Sequence, residues 1–273
     1  MRNCLIICFL VLIITGALAY KFSKKPNQEP VFMPAQVPIP QCEIEDVVAQ
    51  DRAILENINK RRREIDSIYS AIRIEIPGVR QELTGQLVYE KRTRFRMIIR
   101  STTGLEMDIG SNNTDFWFWS KRMKKPALYY CSYENMRLCP LKAPLNPIWL
   151  WELLDINEID NRYSPIFTYK LNGNIATMGG HFELTKVTLT DPKNSRVIGH
   201  YLYDRNWKLI VSSEVLEFQK ELPKTIRIVW AEEGATMIWH LSDTKININV
   251  PSENWQMPNM KNKQDMAHLP NAR

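Results

Sequence analysis

The chain has 273 residues, 44% of them apolar and 24% charged, the composition of a globular protein with one sizeable core and not of a disordered one. Its formal charge of +6 invites a nucleic-acid or anionic-membrane reading. Seven basic residues, Arg2, Lys21, Lys24, Lys25, Lys261, Lys263 and Arg273, lie in the two ends against one acid, Asp265, so the body between them is neutral. A neutral body lacks the electrostatic footprint of a nucleic-acid binder, and no nucleic-acid partner is expected.

Cys4 to Ala19 is an apolar run behind a single arginine, ending in Ala17-Leu18-Ala19, the A-x-A form of a secretory cleavage site. Residues 1–19 are therefore read as a signal peptide or, uncleaved, as an N-terminal membrane anchor. Export follows in both cases. Residues 20–42 carry Pro26, Pro30, Pro34, Pro38 and Pro40, a linker that in polyproline form reaches roughly 45 Å. Such a spacer suits a tethered domain, and contact with a membrane surface is expected of it.

From Glu43 the residues Ile44, Val47, Val48, Leu55, Ile58, Ile65 and Tyr69 fall near one helical stripe. The KRRR run, Lys60 to Arg63, lies largely off the stripe and is read as a solvated face. From Ile72 the period changes to two. Strands are predicted near 72–76, 83–89, 93–100, 105–111, 115–120 and 127–133, then near 166–171, 181–190, 197–204, 207–218, 225–231 and 236–249, with Gly179-Gly180 at a hairpin turn. The fold class that follows is mainly β: a large curved antiparallel sheet with an N-terminal helix and a short mid-chain helix as lid.

Between Arg94 and Gly110 the odd positions Phe95, Met97, Ile99, Leu105, Met107 and Ile109 are apolar, whereas Arg94, Arg96, Arg100, Glu106 and Asp108 are even. An even-sum hairpin register places apolar opposite apolar, giving one greasy face and one charged outer face. Phe116-Trp117-Phe118-Trp119 puts aromatics on both faces of one strand; Trp117 and Trp119 are assigned to the greasy wall by position. Pro147 to Leu154 (PIWLWELL), capped by Asn146, supplies the mid-chain helix. The expected cavity wall is Phe95, Met97, Ile99, Leu105, Met107, Ile109, Trp117 and Trp119, with Trp149, Leu150 and Leu153 as lid.

Cys131 and Cys139 flank a loop eight positions apart and are candidates for a disulfide, the alternative being a free, buried Cys131. The four histidines, His181, His200, His240 and His268, show no metal-ligand spacing, and no nucleophile elbow, Walker loop or dinucleotide fingerprint occurs. No metal, no cofactor and no enzymatic activity are expected.

Leu83-Thr84-Gly85-Gln86-Leu87-Val88-Tyr89-Glu90-Lys91 before Arg94-Phe95-Arg96-Met97 resembles the G-x-L-x-x-x-K-P-x-x-F-R stretch of bacterial lipoprotein carriers. Asp108 to Ser111 with Phe116-Trp117, Glu221 to Ile228, and Ile246 to Pro258 resemble later strands of the same group, the LolA/LolB-type lipoprotein-sorting superfamily. The resemblance covers roughly residues 44–258, so 43–258 is taken as one lipid-binding domain and 259–273 as a flexible polar tail. It implies an unclosed antiparallel β-barrel with a helical lid, holding a lipid or lipoprotein acyl chain, in the periplasm of a Gram-negative-type envelope and with inner- or outer-membrane sorting partners. Lys91 matches the basic residue that holds the family's lid, although Arg92 stands where proline is frequent. The second role the resemblance implies is a tethered envelope-stress sensor of the same fold.

Overall fold

The switch from helical to strand period falls between residues 63 and 67. In the computed structural model, which describes residues 49–91, 94–123, 126–135, 154, 166–171, 174–181, 184–231 and 234–268, helix α1 spans Ala49–Arg63 and strand β1 spans Ser67–Glu75. The helix tightens as it ends, Glu64 and Ile65 donating to the carbonyls of Arg61 and Arg62. Tyr69, expected on the helical stripe, therefore lies on β1. Arg62 corrects the reading of a solvated basic run: it stands one turn beyond the buried Ile58 and is itself buried, because a four-residue step stays on the same helical face. Lys60 and Arg63 are exposed as expected.

Five strands follow β1 in a meander: β2 (Leu83–Glu90), β3 (Arg94–Ser101), β4 (Gly104–Ser111), β5 (Asp115–Ser120) and β6 (Leu128–Ser132). A second series comprises β7 (Ile166–Leu171), β8 (Asn174–His181), β9 (Leu184–Asp191), β10 (Arg196–Asp204), β11 (Leu209–Gln219), β12 (Leu222–Trp230) and β13 (Ala235–Ile246). Gly179 and Gly180 lie inside β8 and not in a turn; the hairpin connection falls between His181 and Leu184. Part of the segment read as a polar tail joins the sheet, since β14 (Lys263–Asp265) pairs parallel with β6, and Met266 beyond it is buried.

The strand order is β14-β6-β5-β4-β3-β2-β1-β13-β12-β11-β10-β9-β8-β7. Neighbours from β6 through β1 and from β7 through β12 are antiparallel where their registers are resolved, and among the described residues β14 and β7 are edge strands, so the sheet is unclosed.

Among the described residues the chain divides into two compact units. The first holds β1 to β6, the part of β13 from Trp239, and the C-terminal segment with β14 and two 3-10 turns, Ser252–Trp255 and Met266–His268. The second holds α1, Leu154, β7 to β12 and β13 up to Ile238. The predicted mid-chain helix, the leader and the proline spacer lie outside the described residues, apart from a buried Leu154.

Candidate functional site

Strand register decides which side chains of the first unit share a face. On β3 and β4, Met97 stands opposite Ile109 and Ile99 opposite Met107, as the even-sum reading required. The connection at Thr102-Thr103 is a two-residue loop, with Ser101 opposite Gly104, and a two-residue loop produces an odd sum. The sum becomes even only because β4 carries a bulge at Glu106, between the Ile99 and Arg100 pairings. Leu105 precedes the bulge, stands opposite the exposed Arg100 and is only half-buried. It leaves the greasy row.

The β4–β5 loop is again two residues, and no bulge follows. Asn112 donates its N–H to the carbonyl of Asp115, and its Oδ1 accepts from the N–H groups of Thr114 and Asp115 at 2.9 and 2.8 Å. Ile109 consequently faces Phe118, Ser111 faces Phe116, and Gly110 faces Trp117. Trp117 and Trp119, assigned to the wall from sequence, therefore lie on the opposite face from Phe95 and Met97; Phe116 and Phe118 take their places. The loop length of Asn113-Thr114 was the signal that could have found this.

The resulting apolar face runs across five strands. Ile68 and Ile72 on β1, Leu87 and Tyr89 on β2, Phe95, Met97 and Ile99 on β3, Met107 and Ile109 on β4, and Phe116 and Phe118 on β5 are all buried. Gly85 belongs to this face opposite Ile99, and a Cβ there would come within 1.8 Å of the Ile98 carbonyl oxygen. Ser70 opposite Leu87, Ser120 opposite Met107 and Ser111 opposite Phe116 interrupt the apolar chemistry; Ser111 is hydrogen-bonded to Tyr133, whose phenol burial pushes up to about 12 against the pull of that bond.

The other face is charged, and around Arg96 and Asp108 it is not solvated, which corrects the outer-face reading there; Thr84 and Arg100 on the same face are exposed. Arg96 forms a fork to Asp108, Nη2 to Oδ2 at 2.8 Å and Nε to Oδ1 at 3.3 Å, with both side chains largely buried. Trp117 Nε1 donates to the same Oδ1 at 3.3 Å, and the Arg96 guanidinium lies 6.0 Å from the centroid of the Trp117 ring. Gly110 makes room for that ring, since a Cβ would sit 2.3 Å from Trp117 Cζ2. Arg96 Nη1 also donates to the carbonyls of Glu253, Asn254 and Gln256. Trp255 and Val250 pack on Val88, with Tyr69 and Ile248 beside them. The C-terminal segment thus covers the part of this face around Arg96 and Val88, and the arginine–acid pairing satisfies the charges beneath it.

At the bulge, Glu106 is buried and accepts from Ser101 Oγ at 2.6 Å, Thr103 Oγ1 at 3.0 Å and Arg122 Nε at 2.9 Å. Burial alone would raise its carboxyl, but these hydrogen bonds and the Arg122 charge hold it below its ordinary value. Lys91 Nζ pairs with Asp66 Oδ1 at 2.8 Å, next to a backbone bond from the Lys91 N–H to the Asp66 carbonyl. That places Lys91 just past the end of β2, beside the start of β1. Cys131 is disulfide-bonded; the other four cysteines, Cys139 among them, lie outside the described residues, as do Trp149, Leu150 and Leu153.

The second unit presents a different surface, which the sequence reading did not single out. Thr177, Thr188, His200, Ser213 and Ile228 form one cross-strand row from β8 to β12. Lys186, Leu202, Val211 and Trp230 form the next row on the same face, and Thr190 stands beyond Thr188. All of these are buried. The face is polar at β8 and β9 and apolar at β12. The opposite face carries the apolar cluster of Ala176, Val187, Leu189, Tyr201 and Tyr203. Alternation of Lys186, Thr188 and Thr190 along β9 was visible in the sequence, but the pattern alone reads as a solvated face. No group of three or more potential metal ligands occurs among the described residues, nor any helix long and apolar enough to cross a membrane.

No protein-family model matches the chain, and none of the curated proteins compared with it does. Among solved structures, the chain is similar to a DUF1329 family protein from Desulfovibrio piger, at 11% identity and TM-score 0.49, covering 75% of this chain and 96% of that one. It is similar to a LolA superfamily protein from Nitrosomonas europaea at 15% identity and TM-score 0.48, over 76% of this chain and 97% of that one. A third similarity is to an outer membrane lipoprotein-sorting protein domain from Vibrio parahaemolyticus, at 11% identity and TM-score 0.47, over 74% and 95%.

Proposed function

We propose that the chain is an exported, non-enzymatic binding protein that holds a lipid or lipoprotein acyl chain against the apolar face of its sheet, in the sorting of envelope lipoproteins. The observation that carries this reading is a face of buried aliphatic, methionine and aromatic side chains spread over five consecutive strands, with Ser70, Ser111 and Ser120 among them and no charged residue, and with one row, Leu87, Met97, Ile109 and Phe118, apolar across four strands. Such a surface binds by removing methylenes from water, at about 0.8 kcal/mol each, and needs no polar recognition along the chain. Methionine at positions 97 and 107 lets it conform to cargo of varied shape. The reading is supported by the family motifs around Gly85, Lys91 and Phe95, and the proline-rich spacer suits a domain held at a membrane.

The experiment is displacement of the neutral fluorophore N-phenyl-1-naphthylamine by a triacylated lipopeptide. Wild-type protein binds the probe and releases it to the lipopeptide. Met97→Asp, placed at the centre of the row, weakens binding by at least about thirtyfold, the equivalent of losing roughly 2 kcal/mol of apolar contact, while circular dichroism shows the sheet retained. Unchanged probe affinity in a folded Met97→Asp protein overturns the assignment of this face.

A further inference from the structure

The buried face of the second unit is amphipathic within a single surface. At β12 it is apolar, with Ile226 and Ile228 fully buried. Two to four strands away, on β10, β9 and β8, it presents the His200 ring, the Lys186 amine and the hydroxyls of Thr188, Thr190 and Thr177. A sheet face that merely filled a core would have its polar atoms hydrogen-bonded, because each buried polar atom otherwise costs free energy. Three side-chain atoms here lack a hydrogen-bond partner among the described residues: Thr177 Oγ1, Thr190 Oγ1 and Trp230 Nε1, on residues exposed to 8%, 0% and 4%. All three can donate, and all three belong to the same face.

Beside them, α1 brings the buried Arg62 toward Lys186. Burial, and then the charge of Arg62, push the Lys186 ammonium well below its ordinary range. Thr188 Oγ1 lies 3.2 Å from His200 Nδ1. The threonine hydroxyls, the Lys186 amine and the Arg62 charge therefore concentrate at the β8–β10 end of the face, and apolar surface, with the Trp230 indole, at the β12 end.

We infer that this face is a headgroup subsite, in which Thr177, Thr190 and Lys186 receive the anionic oxygens of a single-chain amphiphile while Val211, Ile226, Ile228 and the Trp230 ring receive the first part of its alkyl chain. The inference rests on the lipid-binding reading above and deepens it: the ligand has an oxyanion head and is not a headless chain. A carboxylate and a phosphate monoester share the required chemistry.

The test uses the full chain and the same fluorophore, displaced in turn by palmitate, hexadecyl phosphate and hexadecanol. Wild-type protein prefers an anionic amphiphile to the alcohol by about tenfold or more, as hydrogen bonds to a charged group predict, and the palmitate and phosphate arms identify the head. In Thr177→Val/Thr190→Val this preference falls by about five- to tenfold, while affinity for the fluorophore and the alcohol is unchanged. The same variant melts at a higher temperature than wild type without ligand, since two unpaired hydroxyls have been replaced by methyl groups of the same shape. A lower melting temperature with unaltered preference shows that the hydroxyls serve packing and overturns the inference. Equal binding of palmitate, phosphate and alcohol by wild type overturns it while leaving the lipid-binding reading intact; failure of wild type to bind the fluorophore or any amphiphile overturns both.

Discussion

Replacing Arg96 by methionine tests whether the charged face of the first unit is an interior. The substitution removes both bonds of the fork to Asp108, at 2.8 and 3.3 Å, and leaves that carboxylate with the Trp117 indole as its remaining side-chain donor among the described residues. The Asp108 side chain is 5% exposed, so water cannot replace the guanidinium. Breaking a buried pair from one side costs about 3–5 kcal/mol, a large fraction of the roughly 5–15 kcal/mol that holds an ordinary domain. The three carbonyl acceptors on Glu253, Asn254 and Gln256 lose their donor as well, so the loss should be felt first in the C-terminal segment. Urea unfolding followed by tryptophan fluorescence gives the global cost, and hydrogen exchange at residues 248–256 reports the local one. Arg96→Met/Asp108→Asn should recover more than half of the loss, because the uncompensated charge is then gone. A cost below about 1 kcal/mol with unchanged exchange at 248–256 is what a solvent-facing pair gives, and it would refute the interior placement.

Glu106 makes a pH prediction. Its folded-state carboxyl lies below the ordinary value of 4.5, so the stability it contributes is present above that value and is lost as pH falls through the lower folded one; Glu106→Gln should flatten the acid limb of a stability-versus-pH curve, and an unchanged limb counts against the hydrogen-bond cluster. Gly85→Ala drives a methyl against the Ile98 carbonyl and should cost about 3 kcal/mol in urea unfolding, whereas a cost within about 0.5 kcal/mol means that β2 and β3 lie farther apart. Phe118→Asp should weaken probe binding as Met97→Asp does and Trp119→Asp should not, since the two side chains stand on opposite faces; the reverse order refutes the β4–β5 register. We propose Cys139 as the partner of the disulfide-bonded Cys131, and a tryptic map before and after reduction should show those two peptides linked, any other pairing refuting it.

Much of the sheet was legible because side-chain alternation has a period of two, and β2 to β6 were placed within a few residues by it. Alternation says which residues share a face within one strand but not how the next strand's parity matches. That is set by loop length and bulges, and here the two differ between neighbouring hairpins. The bulge at Glu106 restores an even sum across β3 and β4, whereas the bare two-residue turn at Asn113-Thr114 leaves an odd sum across β4 and β5. A bulge has a weak signature in sequence, so Phe116 and Phe118 exchanged places with Trp117 and Trp119.

The charged face was misread for a different reason. Arginines opposite or diagonal to acids on adjacent strands are equally consistent with a solvated surface and with a satisfied interior, since both neutralise charge. Only the covering element distinguishes them, and it lies more than 140 residues away, in Trp255 and the carbonyls that Arg96 reaches. The same ambiguity hid the second unit's polar row, where threonines alternating with valine and leucine on β9 look like an exposed strand until Thr190 proves fully buried. In both units the informative residues are the buried polar ones. An apolar side chain in the interior is accounted for by its burial alone, while an arginine, a carboxylate or a hydroxyl there requires a specific partner. For Arg96 that partner is the protein's own C-terminal segment. For Thr177 and Thr190 the missing partner is the reason to look for a ligand.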